Sequence, residues 1–127
     1  MRVLYVDDEP DIREIAVLAL RLDSDFDVMT AASGREALSA AIDFRPDIIL
    51  LDVMMPEMDG LATLARLREG DATSAIPVVF ITARTQALEI ERFLKLGALG
   101  VIPKPFDPLT LAMQVRALVP SSVEPGR

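Results

Sequence analysis

The chain contains no cysteine and no histidine. The first absence excludes disulfides and thiolate metal sites. The second removes the usual zinc ligand, the commonest general base and any Ser-His-Asp triad. No apolar run is long enough to span a bilayer. No leader is visible either: after Met1-Arg2 the chain enters a short apolar strand pattern and then acidic residues. These absences lead to the expectation of a cytoplasmic protein with no membrane contact. Basic charge is also in deficit, with 13 Lys and Arg against 20 Asp and Glu and a net charge of −7. Such a balance argues against direct nucleic-acid binding, which calls for a basic face. What is present is a length of 127 residues with 51% hydrophobic content. That suits one domain able to bury a proper core.

Five apolar runs read as strands: Val3–Val6, Val28–Ala31, Ile48–Leu51, Val78–Ile81 and Gly100–Ile102. Most are aliphatic on both faces, as in a parallel sheet covered on both sides. Helical stripes lie between and after them. They are Ile12, Ile15, Ala16, Ala19 and Leu22; Ala37, Ala40, Ala41 and Phe44; Leu61, Leu64 and Ala65; Ile90, Phe93 and Leu94; and Leu109, Ala112 and Met113. Ser33 with Glu36 forms a capping box for the second helix. Asp107-Pro108 offers an N-cap and first-turn proline for the fifth. Gly97 can end the fourth in a left-handed turn, and Pro77 suits the first position of a strand. The polar segment 120–127 reads as a flexible tail, which leaves 1–119 as the domain.

Alternating strands and helices with right-handed crossovers give an α/β, doubly wound (βα)5 parallel sheet. The expected strand order is 2-1-3-4-5, the flavodoxin-like arrangement. In this topology the ligand site lies at the carboxyl ends of the strands, beside the switch point between strands 1 and 3. Asp7-Asp8-Glu9 follows the first strand, Asp52 the third, Thr82-Ala83 the fourth and Lys104-Pro105 the fifth. Each alone has a plain structural reading. The acidic run can cap the first helix, Asp52 can be a turn residue, Thr82 can be a structural strand-end residue, and Lys104 can be a solvated lysine. Together they converge on the place the topology selects.

Carboxylates from adjacent strands, about 4.8 Å apart, crowd one another unless a cation holds them or one is protonated. With no nitrogen or sulfur ligands available, a hard cation such as Mg²⁺ fits best. A carboxylate beside such a cation can attack a phosphoryl group. A Lys ammonium, a Thr hydroxyl and the backbone N–H of Ala83 can hold the phosphoryl oxygens.

These residues resemble the receiver domain of two-component response regulators. The resemblance runs from Val3 to about Val119. Leu4-Tyr5-Val6-Asp7-Asp8-Glu9-Pro10 is similar to the family's acidic pair, and Asp52–Gly60 to its phosphoacceptor loop. Ile81-Thr82-Ala83 and Lys104-Pro105-Phe106 are similar to its switch hydroxyl and lysine motif. Four such strings in order are specific where one is weak.

The resemblance implies that Asp52 accepts the phosphoryl group. It implies that Asp7, Asp8 and Asp52, with the backbone carbonyl of Met54, hold Mg²⁺, and that Thr82 and Lys104 bind the phosphoryl group. It also implies a cis Lys104-Pro105 bond. The implied donor is a histidine kinase or a histidine phosphotransfer protein. The implied output is a downstream protein on the face formed by helix 4, strand 5 and helix 5, or a phosphorylation-dependent homodimer. The protein would be a switch rather than a turnover enzyme.

One departure stands out: Val101 occupies a position where the family often has an aromatic switch residue. Met54 and Arg84 fill the two variable positions beside the site. Two other classes are weighed. A haloacid-dehalogenase-type phosphatase needs two Asp residues spaced by two, whereas Asp7 and Asp8 are adjacent. A flavodoxin-like cofactor carrier needs a Gly-rich loop that is missing here.

Overall fold

A computed structural model describes residues 1–119. The expected tail, 120–127, lies outside the described residues. The strands are β1 (Arg2–Val6), β2 (Asp27–Ala31), β3 (Ile48–Asp52), β4 (Val78–Thr82) and β5 (Gly100–Pro103). The helices are α1 (Pro10–Leu20), α2 (Gly34–Phe44), α3 (Gly60–Glu69), α4 (Ala87–Lys95) and α5 (Leu111–Leu118). All strand pairs are parallel, in the order β2-β1-β3-β4-β5. The doubly wound architecture expected from the alternation is therefore the one observed.

Alternate residues of each strand feed two cores. On one face Leu4, Val6, Ile49, Leu51, Val78 and Phe80 pack under α2, α3 and α4, through Ala37, Leu64, Leu67 and Phe93. On the other Val3, Tyr5, Ile48, Leu50, Val79 and Ile81 pack under α1 and α5, through Ala16, Leu20, Leu111 and Val115. β3 and β4 are buried along their whole length. This is why they read as continuous apolar runs rather than as alternating ones.

The caps largely follow the sequence. The N–H of Glu36 donates to Ser33 Oγ at 3.1 Å. The Glu36 carboxylate accepts in return from the N–H of Ala32 at 3.2 Å, one residue before the cap itself. Gly97 ends α4 at φ 104°, a left-handed conformation that glycine adopts without a side-chain penalty.

Three helical stripes hold at positions such as Ala16, Ala19, Leu64 and Phe93 and depart from the expectation at others. In α1, Ile15 is exposed while Leu20 is fully buried, and Leu22, beyond the end of the helix, is exposed. In α4, Phe93 is buried but Leu94 is exposed, and in α3 Ala65 faces solvent while Leu67 is in the core.

The largest difference is at α5. Asp107-Pro108 opens a turn rather than the helix: the Asp107 carboxylate accepts from Leu109 N–H at 2.9 Å, and α5 begins only at Leu111. That delay rotates the buried stripe to Leu111 and Val115 and leaves Leu109 and Met113 exposed.

Candidate functional site

Strand register builds the site. Val6 pairs with Leu51, so the next residues, Asp7 and Asp52, stand side by side at the carboxyl end of the sheet. Thr82 pairs with Pro103, which brings Lys104 to the same rim. The backbone N–H of Lys104 donates to the Thr82 carbonyl at 2.9 Å. The Lys104-Pro105 peptide is cis, as the resemblance implies.

α3 closes the site from below Asp52. Its Gly60 packs so tightly on the Asp52 carbonyl and Val53 Cα that a Cβ at this position would overlap backbone. Its N–H donates to the Val53 carbonyl at 2.8 Å. Asp59 caps the helix through Ala62 N–H at 2.8 Å.

Carboxylate oxygens of Asp7, Asp8 and Asp52 lie within 4.8 Å of one another. Asp7 and Asp52 are buried and Asp8 is half-buried. Lys104 Nζ reaches Asp7 Oδ2 at 2.9 Å, Asp52 Oδ2 at 3.4 Å and Glu9 Oε1 at 3.6 Å. One cation therefore spans the carboxylates of β1 and β3. Burial pushes the Asp52 carboxyl up to about 6, and the neighbouring charge of Asp7 adds to this against the opposing pull of Lys104. Burial works against the Lys104 ammonium too, but the hydrogen bond to Asp7 and the charge of Asp52 outweigh it, so its pKa is raised.

The remaining groups expected from sequence are also here. Thr82 is buried, and its Oγ1 accepts from Arg84 N–H at 3.0 Å. Ala83 follows it, exposed at the start of the β4–α4 loop. Met54 N–H points back to Asp52 Oδ1 at 3.4 Å, and the Met54 side chain is exposed.

Asp8 makes no hydrogen bond that would cap α1. The N-cap residue is Glu9, without a side-chain cap bond. Its N–H is taken instead by Asp7 Oδ1 at 3.0 Å. Within the acidic run, Asp7 thus carries the local turn and Asp8 is left to face the site.

One contributor escaped the sequence reading, and one member of the acidic run has a partner that was not assigned to it. Tyr5 hydroxyl donates to Asp7 Oδ2 at 3.1 Å. Burial first, then the Asp7 charge and hydrogen bond, raises the Tyr5 pKa and keeps the hydroxyl a donor. Glu9 joins Lys104 at the rim. The signal for Tyr5 was its place two residues before Asp7, on the same face of β1.

A hard-oxygen donor set, pre-gathered and balanced by one lysine, has the chemistry of a divalent-cation site. Fold and site together define a doubly wound α/β domain with an acidic centre at its switch point. The chain belongs to the response-regulator receiver family: the family model described as the response regulator receiver domain matches residues 3–116.

Among curated relatives, the DNA-binding response regulator MtrA of Mycolicibacterium smegmatis is 39% identical over 91% of this chain and 49% of its own length. The DNA-binding dual master transcriptional regulator RpaA of Synechocystis is 35% identical over 93% of this chain and 48% of its own. The chain spans about half the length of the curated relatives it matches. Among solved structures, the chemotaxis protein CheY4 of Vibrio cholerae superposes with a TM-score of 0.83 at 35% identity. That match covers 92% of this chain and 97% of the other. A response regulator from Chloroflexus aurantiacus gives 0.82 at 31% identity, over 93% of this chain and 96% of the other.

Proposed function

We propose that this domain accepts a phosphoryl group on Asp52 from a histidine kinase or histidine phosphotransfer protein, in a Mg²⁺-dependent reaction, and that the modification switches partner binding. The observation that carries this reading is the single ammonium of Lys104 held between Asp7 and Asp52 at 2.9 and 3.4 Å. The donor set fits the metal: three carboxylates within 4.8 Å, in a chain without histidine or cysteine. Asp7, Asp8 and Asp52 would hold it with the Met54 carbonyl. When bound, the ion supplies charge neutralisation for the incoming phosphoryl oxygens.

The chain's own residues carry the rest. Asp52 is the nucleophile; one carboxylate oxygen bonds to phosphorus as the bond from phosphorus to the donor breaks. The nucleophile must be ionised. Its raised pKa, near 6 without metal, leaves it mostly ionised near neutral pH. Lys104 turns from the carboxylates to a phosphoryl oxygen. The Thr82 hydroxyl leaves the Arg84 N–H to donate to a second oxygen, and the Ala83 N–H faces a third. No separate general base is required. The domain acts as a switch with only self-catalysed phosphorylation and dephosphorylation.

The same reading takes residues 1–119 as the receiver unit and a cytoplasmic setting as its place of action. It takes the face of α4, β5 and α5 as the contact for a downstream protein or a phosphorylation-dependent second copy. It includes no direct nucleic-acid or membrane contact by this domain. The DNA-binding names belong to relatives twice its length.

Incubation with a small acyl-phosphate donor and Mg²⁺, read by intact-mass spectrometry, tests the reading. One phosphoryl group is expected on the native chain and none on Asp52→Asn. Undiminished labelling of the Asn variant overturns the assignment.

A further inference from the structure

The hydroxyl of Tyr5 has no role in the reaction described above, yet it sits inside the site. Tyr5 is fully buried, and its ring is edge-on to Phe106 with centroids 6.2 Å apart. Phe106 lies two residues after Lys104. The ring is thus wedged between the acidic end of β1 and the loop that carries the lysine. The hydroxyl donates to Asp7 Oδ2 at 3.1 Å, the oxygen that Lys104 also contacts at 2.9 Å. Asp7 Oδ1 is occupied by Glu9 N–H at 3.0 Å.

From this geometry we infer that Tyr5 is a positioning residue: it holds the Asp7 carboxylate in its metal-binding orientation once Lys104 leaves it. The inference rests on the proposed Mg²⁺-dependent phosphoryl transfer. Without metal, the Tyr5 bond is redundant, because Lys104 and Glu9 N–H already fix Asp7. A divalent cation held by the same carboxylates would repel the Lys104 ammonium from Asp7. With the lysine displaced in this way, and later drawn toward a phosphoryl oxygen, Oδ2 keeps one protein donor, and that donor is Tyr5. An interaction that matters more in one state than in the other shifts the equilibrium between them. Hydrogen bonds from such outer partners orient metal ligands, and their loss typically costs about 10–100-fold in affinity. The hydroxyl also withdraws charge from Asp7, which acts in the opposite direction. Orientation is expected to win because Asp7 is buried and cannot recruit water as a substitute donor.

Tyr5→Phe keeps the ring and its packing on Phe106, so the fold is retained, as a thermal melt without metal can verify. Mg²⁺ binding by calorimetry is expected to weaken about tenfold in this variant. The Mg²⁺ concentration for half-maximal phosphorylation is expected to rise by a similar factor, with little change in the rate at saturating metal. A second readout needs no variant. Tyr5 is the only tyrosine and the chain has no tryptophan, so emission excited in the tyrosine band, where the five phenylalanines do not absorb appreciably, comes from this ring. Mg²⁺ titration of the native protein should change that emission as the charge on its hydrogen-bond partner is neutralised.

Unchanged or tighter Mg²⁺ binding in Tyr5→Phe, or a rate loss that saturating Mg²⁺ does not restore, overturns the role of Tyr5. A native protein that binds no Mg²⁺ and accepts no phosphoryl group overturns the underlying reading instead.

Discussion

Lys104 Nζ lies 2.9 Å from Asp7 Oδ2, joining residues 97 positions apart in the chain. Asp7 is fully buried, and the lysine side chain is 18% exposed. Removing one partner of a buried ion pair leaves a charge without compensation. Lys104→Ala is therefore expected to destabilise the metal-free protein by about 2 kcal/mol, below the fully buried range because the lysine is partly solvated. Saturating Mg²⁺ should recover most of that loss by supplying another cation. Denaturant melts with and without Mg²⁺ measure both. Some phosphorylation of this variant is expected to remain, but partner affinity should no longer depend on it. A native-like ratio of partner affinities with and without phosphate overturns the proposed role.

Asp8 differs from its neighbour. It caps nothing in α1 and adds like charge to a crowded cluster. Asp8→Ala should weaken Mg²⁺ binding by at least about tenfold, some 1.4 kcal/mol. It should leave the metal-free melting temperature unchanged or slightly raised. Calorimetry and thermal melts give the two numbers. A metal-free melting temperature lower by several degrees would identify Asp8 as a structural residue.

The Asp52 carboxyl, shifted up to about 6 from 3.8, sets a pH dependence. The metal-free folded state binds this proton more tightly than the unfolded chain does. The stability it contributes is fully present below about pH 4 and is lost as pH rises through about 6. Mg²⁺ must displace the same proton, so its affinity falls on acidification through that window. Calorimetry in two buffers of different ionisation enthalpy should show proton release near pH 5 and almost none near pH 8. Asp52→Asn should abolish the release. Equal proton release from the Asn variant assigns the proton elsewhere.

The sheet and the rim of the site were legible because both are written in short, local strings. Buried parallel strands are apolar on both faces, and their polar endings mark the carboxyl edge. Helix phase was harder to read. The sequence of α5 offers Leu109, Leu111, Met113 and Val115 in close succession, so the buried set depends on where the helix starts. The Asp107-Pro108 signal placed that start one turn early. At the end of α1, Leu20 and Leu22 compete in the same way, and only packing against the sheet decides. Tyr5 was hidden for a different reason. A tyrosine in a β-strand run reads as core, and its ring is indeed core; only the hydroxyl belongs to the site.

The final prediction concerns how the signal leaves the site. Val101 occupies the position that the receiver resemblance assigns to an aromatic switch residue. It pairs in register with Phe80 and is half-buried against the core under α4. Valine is stiff at χ1 and small, so alternative rotamers change little exposed area. Thr82, by contrast, is tied to the chain beyond it: its Oγ1 accepts from Arg84 N–H at 3.0 Å. If the hydroxyl turns toward a phosphoryl oxygen, that bond is lost and the exposed segment around Ala83–Gln86 must rearrange. The β4–α4 loop is therefore expected to move more than β5. Hydrogen exchange with and without a beryllofluoride phosphoryl mimic tests this directly. Protection changes should centre on residues 83–90 and be smaller over 100–103. A largest change at β5 that Val101→Ala removes would show that the valine, not the loop, carries the signal.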